Sequence, residues 1–187
     1  MRAKWSFRTP AAGGEHPKND RLRKLAANLD ALTHRDRNAI ERAREIDSLR
    51  RQAALELHGI CGSFIHRLNA LLQQTALDFD PEDYTADRFR DGGVNLFQLN
   101  AQGRILQIEF ESTAEITSTE NFRVPYILEG AVRGFNQQLL EKQLIEEQSL
   151  FYTLEKTRNL WRYFDARTYR SGVVNVDYLT GLMEQLL

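Results

Sequence analysis

One cysteine, Cys61, and four prolines are all that this 187-residue chain holds of either type. A lone cysteine excludes an internal disulfide framework and any zinc site that draws two or more thiolates from one chain. No apolar run approaches the roughly 18–20 residues needed to span a bilayer. The first residues, Met1 to Arg8, carry charges with no apolar stretch behind them, so no secretory signal is expected and the expected compartment is the cytoplasm. Glycine-rich phosphate cradles of the GxGxxG and P-loop kind are missing, as are GxSxG and HExxH. With 42% hydrophobic and 27% charged residues, the chain has the composition of a packed domain rather than a disordered one. Its length suits one domain, or one domain and an appendage.

The net charge of −1 hides a polarity. Residues 1–51 hold 13 Lys/Arg and 7 Asp/Glu, a balance of +6; residues 52–187 hold 12 and 19, a balance of −7. A basic first third on an acidic remainder points to an anion-facing segment, to two subunits meeting head to tail, or to a helix with a solvated basic face.

Residues 1–19 contain Pro10, Gly13, Gly14 and Pro17 without a hydrophobic period, which predicts a flexible basic arm. Trp5 and Phe7 stand out in it, either docked on the body or free to anchor a partner. Residues 20–77 are free of proline and form the long helical segment. Leu22, Leu25, Leu29 and Leu32 step by three and four, and Thr33 with Asp36 resembles a capping box. The spacing therefore predicts a short helix over 20–32 and a second over 34–77. The heptad stripe continues through Ala39, Ala43, Ile46, Ala53, Leu57, Ile60 and Phe64, interrupted by Asp36 and Arg50. A helix of that length exceeds what so small a domain can cover, so part of it should pack on another helix, in this chain or in a second copy.

Residues 78–93 form an acidic connector bounded by Pro81 and Gly92-Gly93. Beyond it the period becomes two. Residues 94–99 and 104–111 flank a four-residue hairpin connection ending in Gly103, with Leu106, Ile108 and Phe110 on one face and Gln107, Glu109 and Glu111 on the other. Residues 114–119, including Ile116, form a threonine-rich third strand expected at the sheet edge. Pro125 and the stripe Leu128, Val132, Phe135, Leu139 predict a helix over 126–145. Residues 148–155 and 160–168 make a second hairpin, and a last helix starts at Asn175, a good N-cap.

The predicted fold is α+β: a long N-terminal helical segment, then a compact 94–187 unit with a small antiparallel sheet of about five strands and two further helices. The order is α-βββ-α-ββ-α. It is similar to the order in small dimeric chaperones that hold secretion substrates extended, a likeness of topology without a shared motif. Trp161 and Tyr163 share one face of the last strand while Leu160 and Phe164 take the other, so both faces are apolar there. Either helices cover both, or one face receives a partner.

The search for chemistry yields little. His16, His34, His58 and His66 are the only histidines, and only His58-x-x-Cys61 places two ligand types on one helix face; no second half of a metal site accompanies it. Gly59 and Gly62 beside it would admit a close backbone approach. Gly130-x-x-x-Gly134 fits close helix packing. Glu109 and Glu111 form a carboxylate pair that arginines such as Arg162 and Arg167 could neutralise. No catalytic residue, metal or cofactor is assigned, and the balance leans away from an enzyme. The leading expectation is a protein-interaction module that forms a homo-oligomer through its long helix or binds a protein or peptide. Its candidate contacts are Trp5, Phe7, Arg21, Arg23, Lys24, Leu57, Ile116, Trp161 and Tyr163. The alternative is a nucleic-acid-associated protein that uses the basic arm and helix.

Overall fold

Between Pro17 and Pro81 no proline interrupts the backbone, and most of that interval becomes one helix, α1, Pro17–Asn69. The computed structural model describes residues 17–136 and 146–187. Trp5, Phe7 and nearly all of the basic arm lie outside them, as do residues 137–145. The chain divides after Arg44 into two compact units, and α1 has residues in both.

In the first unit the described residues are helical. The predicted break at Thr33 does not occur. Its hydroxyl donates to the Leu29 carbonyl oxygen at 2.9 Å instead of capping a new helix, an in-helix bond open to any Ser or Thr one turn on.

The second unit is built on a seven-stranded sheet: β1 Asp78–Asp80, β2 Asn95–Ala101, β3 Arg104–Thr117, β4 Tyr126–Asn136, β5 Glu146–Thr153, β6 Leu160–Asp165 and β7 Arg170–Val173. The strands lie in chain order, each antiparallel to the next. The α+β class stands, but the sheet has seven strands where about five were expected. No helix intervenes between the third and fourth. The element order behind the likeness to dimeric chaperones is thus not the order of this fold.

The expected helix over 126–145 is strand β4 as far as Asn136. Leu128 and Val132, four apart, share a face under either period; in the strand they project with Gly130 and Gly134 toward the helices, while Phe135 takes the other side. Gly130 is obligatory: a Cβ there would run into the Glu109 carbonyl oxygen and come within 2.8 Å of Phe110 Cα. The Gly-x-x-x-Gly spacing therefore serves strand packing and not a helix pair.

The turn between β2 and β3 is tighter than predicted. Gln102 and Gly103 both adopt positive φ (53° and 85°), the two-residue geometry that suits a right-twisted hairpin. Asn100 Oδ1 accepts from the Gly103 N–H at 2.8 Å.

One face of the sheet carries Phe97, Leu99, Leu106, Ile108, Phe110, Leu128, Leu150, Tyr152 and Trp161. The helical residues Ala53, Ala54, Leu57, Cys61, Phe64 and Ile65 of α1 pack on it, as do Leu179, Leu182 and Met183 of α2, Val176–Glu184. Ala53 and Ala54 are wholly buried, so the alanines of the seam let α1 sit close to the sheet. Asn175 caps α2, its side chain accepting from the Tyr178 N–H. Both helices thus lie on the same face. On the other face Phe122, from the β3–β4 connection, stacks on Phe151 at 4.4 Å and joins Tyr126 and Phe164 in a second small core. That connection, not a helix, covers the second apolar side of β6.

α1 stops at Asn69, eight residues before the predicted end. Asn69 Oδ1 accepts from the Leu77 N–H at 2.7 Å and Nδ2 donates to the Leu77 carbonyl oxygen at 3.1 Å, which turns the chain back toward β1. The acidic stretch 78–93 holds β1 and a 3-10 turn, Ala86–Arg88. Asn95 organises it, accepting from the Arg90 N–H and donating to the Arg90 carbonyl oxygen. No helix among the described residues is long and apolar enough to cross a membrane.

Candidate functional site

The candidate residues that the structure describes lie in different settings. Leu57 and Trp161 belong to the core and are fully buried. The indole Nε1–H of Trp161 donates to the Ala53 carbonyl oxygen at 2.8 Å, pinning α1 to the centre of β6. Neither side chain has surface left for a partner, and the Trp161 face that had been open to a partner is filled by α1. Tyr163 is half-buried and lies parallel to Tyr178 at 4.3 Å, joining β6 to α2. The space for that ring comes from Gly172, where a Cβ would approach it to 2.7 Å.

Ile116 is 53% exposed. It lies at the end of β3 in an irregular stretch between the pairs Ser112–Leu128 and Thr117–Tyr126. Residues 114–119 are therefore not a separate edge strand; most of them continue a strand that is interior as far as Phe110. Past Phe110, where β2 begins with Asn95, β3 keeps β4 as its strand partner on one side only. On its other side Arg50 donates to the Thr113 carbonyl oxygen and pairs with Asp91 at 3.0 Å, which accounts for the arginine that interrupts the seam.

The His58–Cys61 pair is a packing feature. His58 lies between Phe79 and Tyr84, with centroids at 4.7 and 5.5 Å, and its Nε2 is 2.9 Å from the Pro81 carbonyl oxygen, to which it donates. Cys61 is completely buried, and that burial pushes its thiol up to about 12, so the thiolate needed for nucleophilic attack is absent at neutral pH. Gly59 and Gly62 do not serve a close backbone approach. Among the described residues outside the neighbouring turns of α1, none lies within 4 Å of a Cβ at Gly59, and the edge of Phe79 comes to 4.0 Å at Gly62.

The open sheet face carries a groove of about 420 Å³ between Glu109, Glu111, Glu129, Tyr126, Ser149 and Phe151. Its arginine partner is Arg133, not Arg162 or Arg167: Arg133 pairs with Glu109 at 2.5 Å and with Glu147 at 2.8 Å in a cross-strand ladder. Arg162 is committed to Glu155, holding that carboxyl below its usual range. Burial, reinforced by Glu129, keeps the Tyr126 phenol protonated above its ordinary range. Among the described residues no three His, Cys, Asp or Glu side chains converge as a metal ion would require. The groove is acidic, and Glu109 among its carboxylates is paired with Arg133.

Arg21, Arg23 and Lys24 lie in the first unit, where every residue from Asp20 to Arg44 is exposed. Among these are Leu22 (62%), Leu25 (54%), Leu29 (54%) and Leu32 (50%), with Ile40 at 54%. With Leu22 placed at heptad position a, the four leucines fall at a, d, a and d, one continuous stripe on an exposed helix face. Arg23 and Lys24, at b and c, lie off the stripe. Comparison of the chain with protein-family models, with curated proteins and with solved structures returns no match.

Proposed function

We propose that this protein is an interaction module whose working surface is the leucine stripe of α1 between Leu22 and Leu32. One observation carries the reading: four leucines at strict heptad spacing, each at least half exposed, on a helix whose later seam residues are buried. A solvated helix has no need of such a stripe, since large apolar residues in register on one face mark a surface that another helix covers. The same heptad changes use along α1. Ala53, Leu57 and Phe64 pack on the chain's own sheet, whereas the earlier leucines await an external surface. In this reading the α+β unit is the folded body and the helix is the connector to a partner.

A photo-activatable amino acid at position 29, on the stripe, and the same probe at position 34, on the opposite face, test this directly. Covalent adducts should form from position 29 and not from position 34. Equal yields from both positions, or none from 29, would overturn the reading. The adduct mass also tells whether the partner is another copy or a different protein.

A further inference from the structure

We propose that the stripe is covered by a second copy of this chain laid antiparallel to the first; this rests on the interaction-face reading above and names its partner. The a and d positions are large in the first half of the exposed stretch and small in the second: Leu22, Leu25, Leu29 and Leu32, then Ala39 and Ala43. A parallel pair in register would stack leucine on leucine and then alanine on alanine. Helices held apart by the leucines would leave voids at the alanines, which a close-packed seam does not tolerate. It would also set Asp36 directly against Asp36 of the second copy in a seam layer, two carboxylates in a partly desolvated position.

Antiparallel pairing about a two-fold axis near His34 removes both faults. Leu25 then meets the second copy's Ala43 and Leu29 meets its Ala39, large against small, while Leu32 meets Asp36 and Leu22 meets Ile46 at the end of the exposed stretch. Asp36 of each copy comes beside Arg35 of the other, giving two carboxylates and two guanidinium groups with no net charge. The arrangement is isologous and closes at two copies. The half-exposed leucines and Ile40 of two copies offer about 1,000 Å² in total, near the lower bound for a specific interface, so a reversible dimer is expected.

A nitroxide on an Arg23→Cys variant of the full-length protein measures the geometry. Arg23 is exposed and off the stripe, and native Cys61 is fully buried and so escapes the label. In the antiparallel pair the two labels sit 22 residues apart along the helix axis, about 35 Å at the α-helical rise. In a parallel pair they are separated by about 10–20 Å, roughly the width of two helices. A distance near 35 Å that vanishes when Leu25→Glu and Leu29→Glu are added supports the proposal. A distance under about 20 Å overturns the antiparallel order. The absence of any intermolecular distance at tens of micromolar protein overturns the second copy as partner, whereas adducts to a different protein from position 29 would leave the interaction face standing.

Discussion

Leu57→Ala and Leu25→Ala are the same chemical change in the same heptad seam, and the structure assigns them opposite consequences. Leu57 is fully enclosed between α1 and the sheet. Truncating it removes the transfer free energy of its buried methyl groups and leaves a void lined by core residues, a loss of about 3 kcal/mol. For a unit of this size that corresponds to a fall of roughly 6–12 °C in melting temperature. Leu25 is 54% exposed in the single chain, and alanine is at least as good a helix former, so the folded monomer should lose less than about 0.5 kcal/mol. If the stripe is an interface, about 1 kcal/mol of burial is lost per copy, some 2 kcal/mol per dimer, or about a 30-fold weaker dissociation constant. Differential scanning calorimetry on dilute protein reads the first quantity, and sedimentation equilibrium across a concentration series reads the second. A Leu57→Ala protein that melts normally would refute the assignment of Leu57 to the core. So would a Leu25→Ala protein that melts early at a concentration where the wild type is monomeric, because the stripe would then be covered within the chain.

Other outcomes follow from the core and its hydrogen bonds. Trp161→Phe keeps most of the ring volume but removes the indole bond to the Ala53 carbonyl oxygen, which retains its in-helix partner, and denaturant titration should show a loss of about 0.5–1.5 kcal/mol. Gly130→Ala places a methyl group against the β3 backbone and should cost at least about 2 kcal/mol or prevent accumulation of folded protein, as measured by soluble yield and melting temperature. Cys61 should resist thiol reagents at neutral pH in the folded protein and react only on unfolding. Because its folded-state value is raised to about 12, its stabilising contribution is complete below the unfolded thiol's ordinary range near 8.5 and is lost as pH climbs from there toward 12; a Cys61→Ala variant should show a shallower alkaline melt. Glu155 is shifted the other way by its bond to Arg162. Its contribution is present above the ordinary glutamate range and disappears as pH falls below it, which comparison of Glu155→Gln with the wild type in acid melts would show.

Sequence patterning located some elements well and missed others for identifiable reasons. β2, β3, β5, β6 and α2 were recoverable because alternation or a cap is strong there: Leu106, Ile108 and Phe110 do share one face, and Asn175 is the cap. β4 reads as a helix from sequence because residues four apart coincide in both periods and its two glycines break the alternation. β1 and β7 have only three and four residues, too few for any period to register, and they exist because a neighbouring strand offers an open edge. The break expected at Thr33 failed because a threonine inside a helix and one capping a helix look alike until the direction of its hydroxyl bond is known. As for function, heptad spacing marked the whole seam of α1 without showing where it changes from inward to outward use. Only burial separates Leu57 from Leu25, and burial depends on a sheet formed by residues far along the chain.

Sedimentation equilibrium of the full-length protein at tens of micromolar, with the Leu25→Glu/Leu29→Glu variant beside it, bears most directly on the claim that this stripe is the assembly surface. The chain has a mass of 21.7 kDa. The account predicts a concentration-dependent approach to twice that value for the wild type and a monomer at every concentration for the variant, with the two melting alike when dilute. A wild type that remains at the mass of one chain, or a variant that assembles as the wild type does, would contradict it.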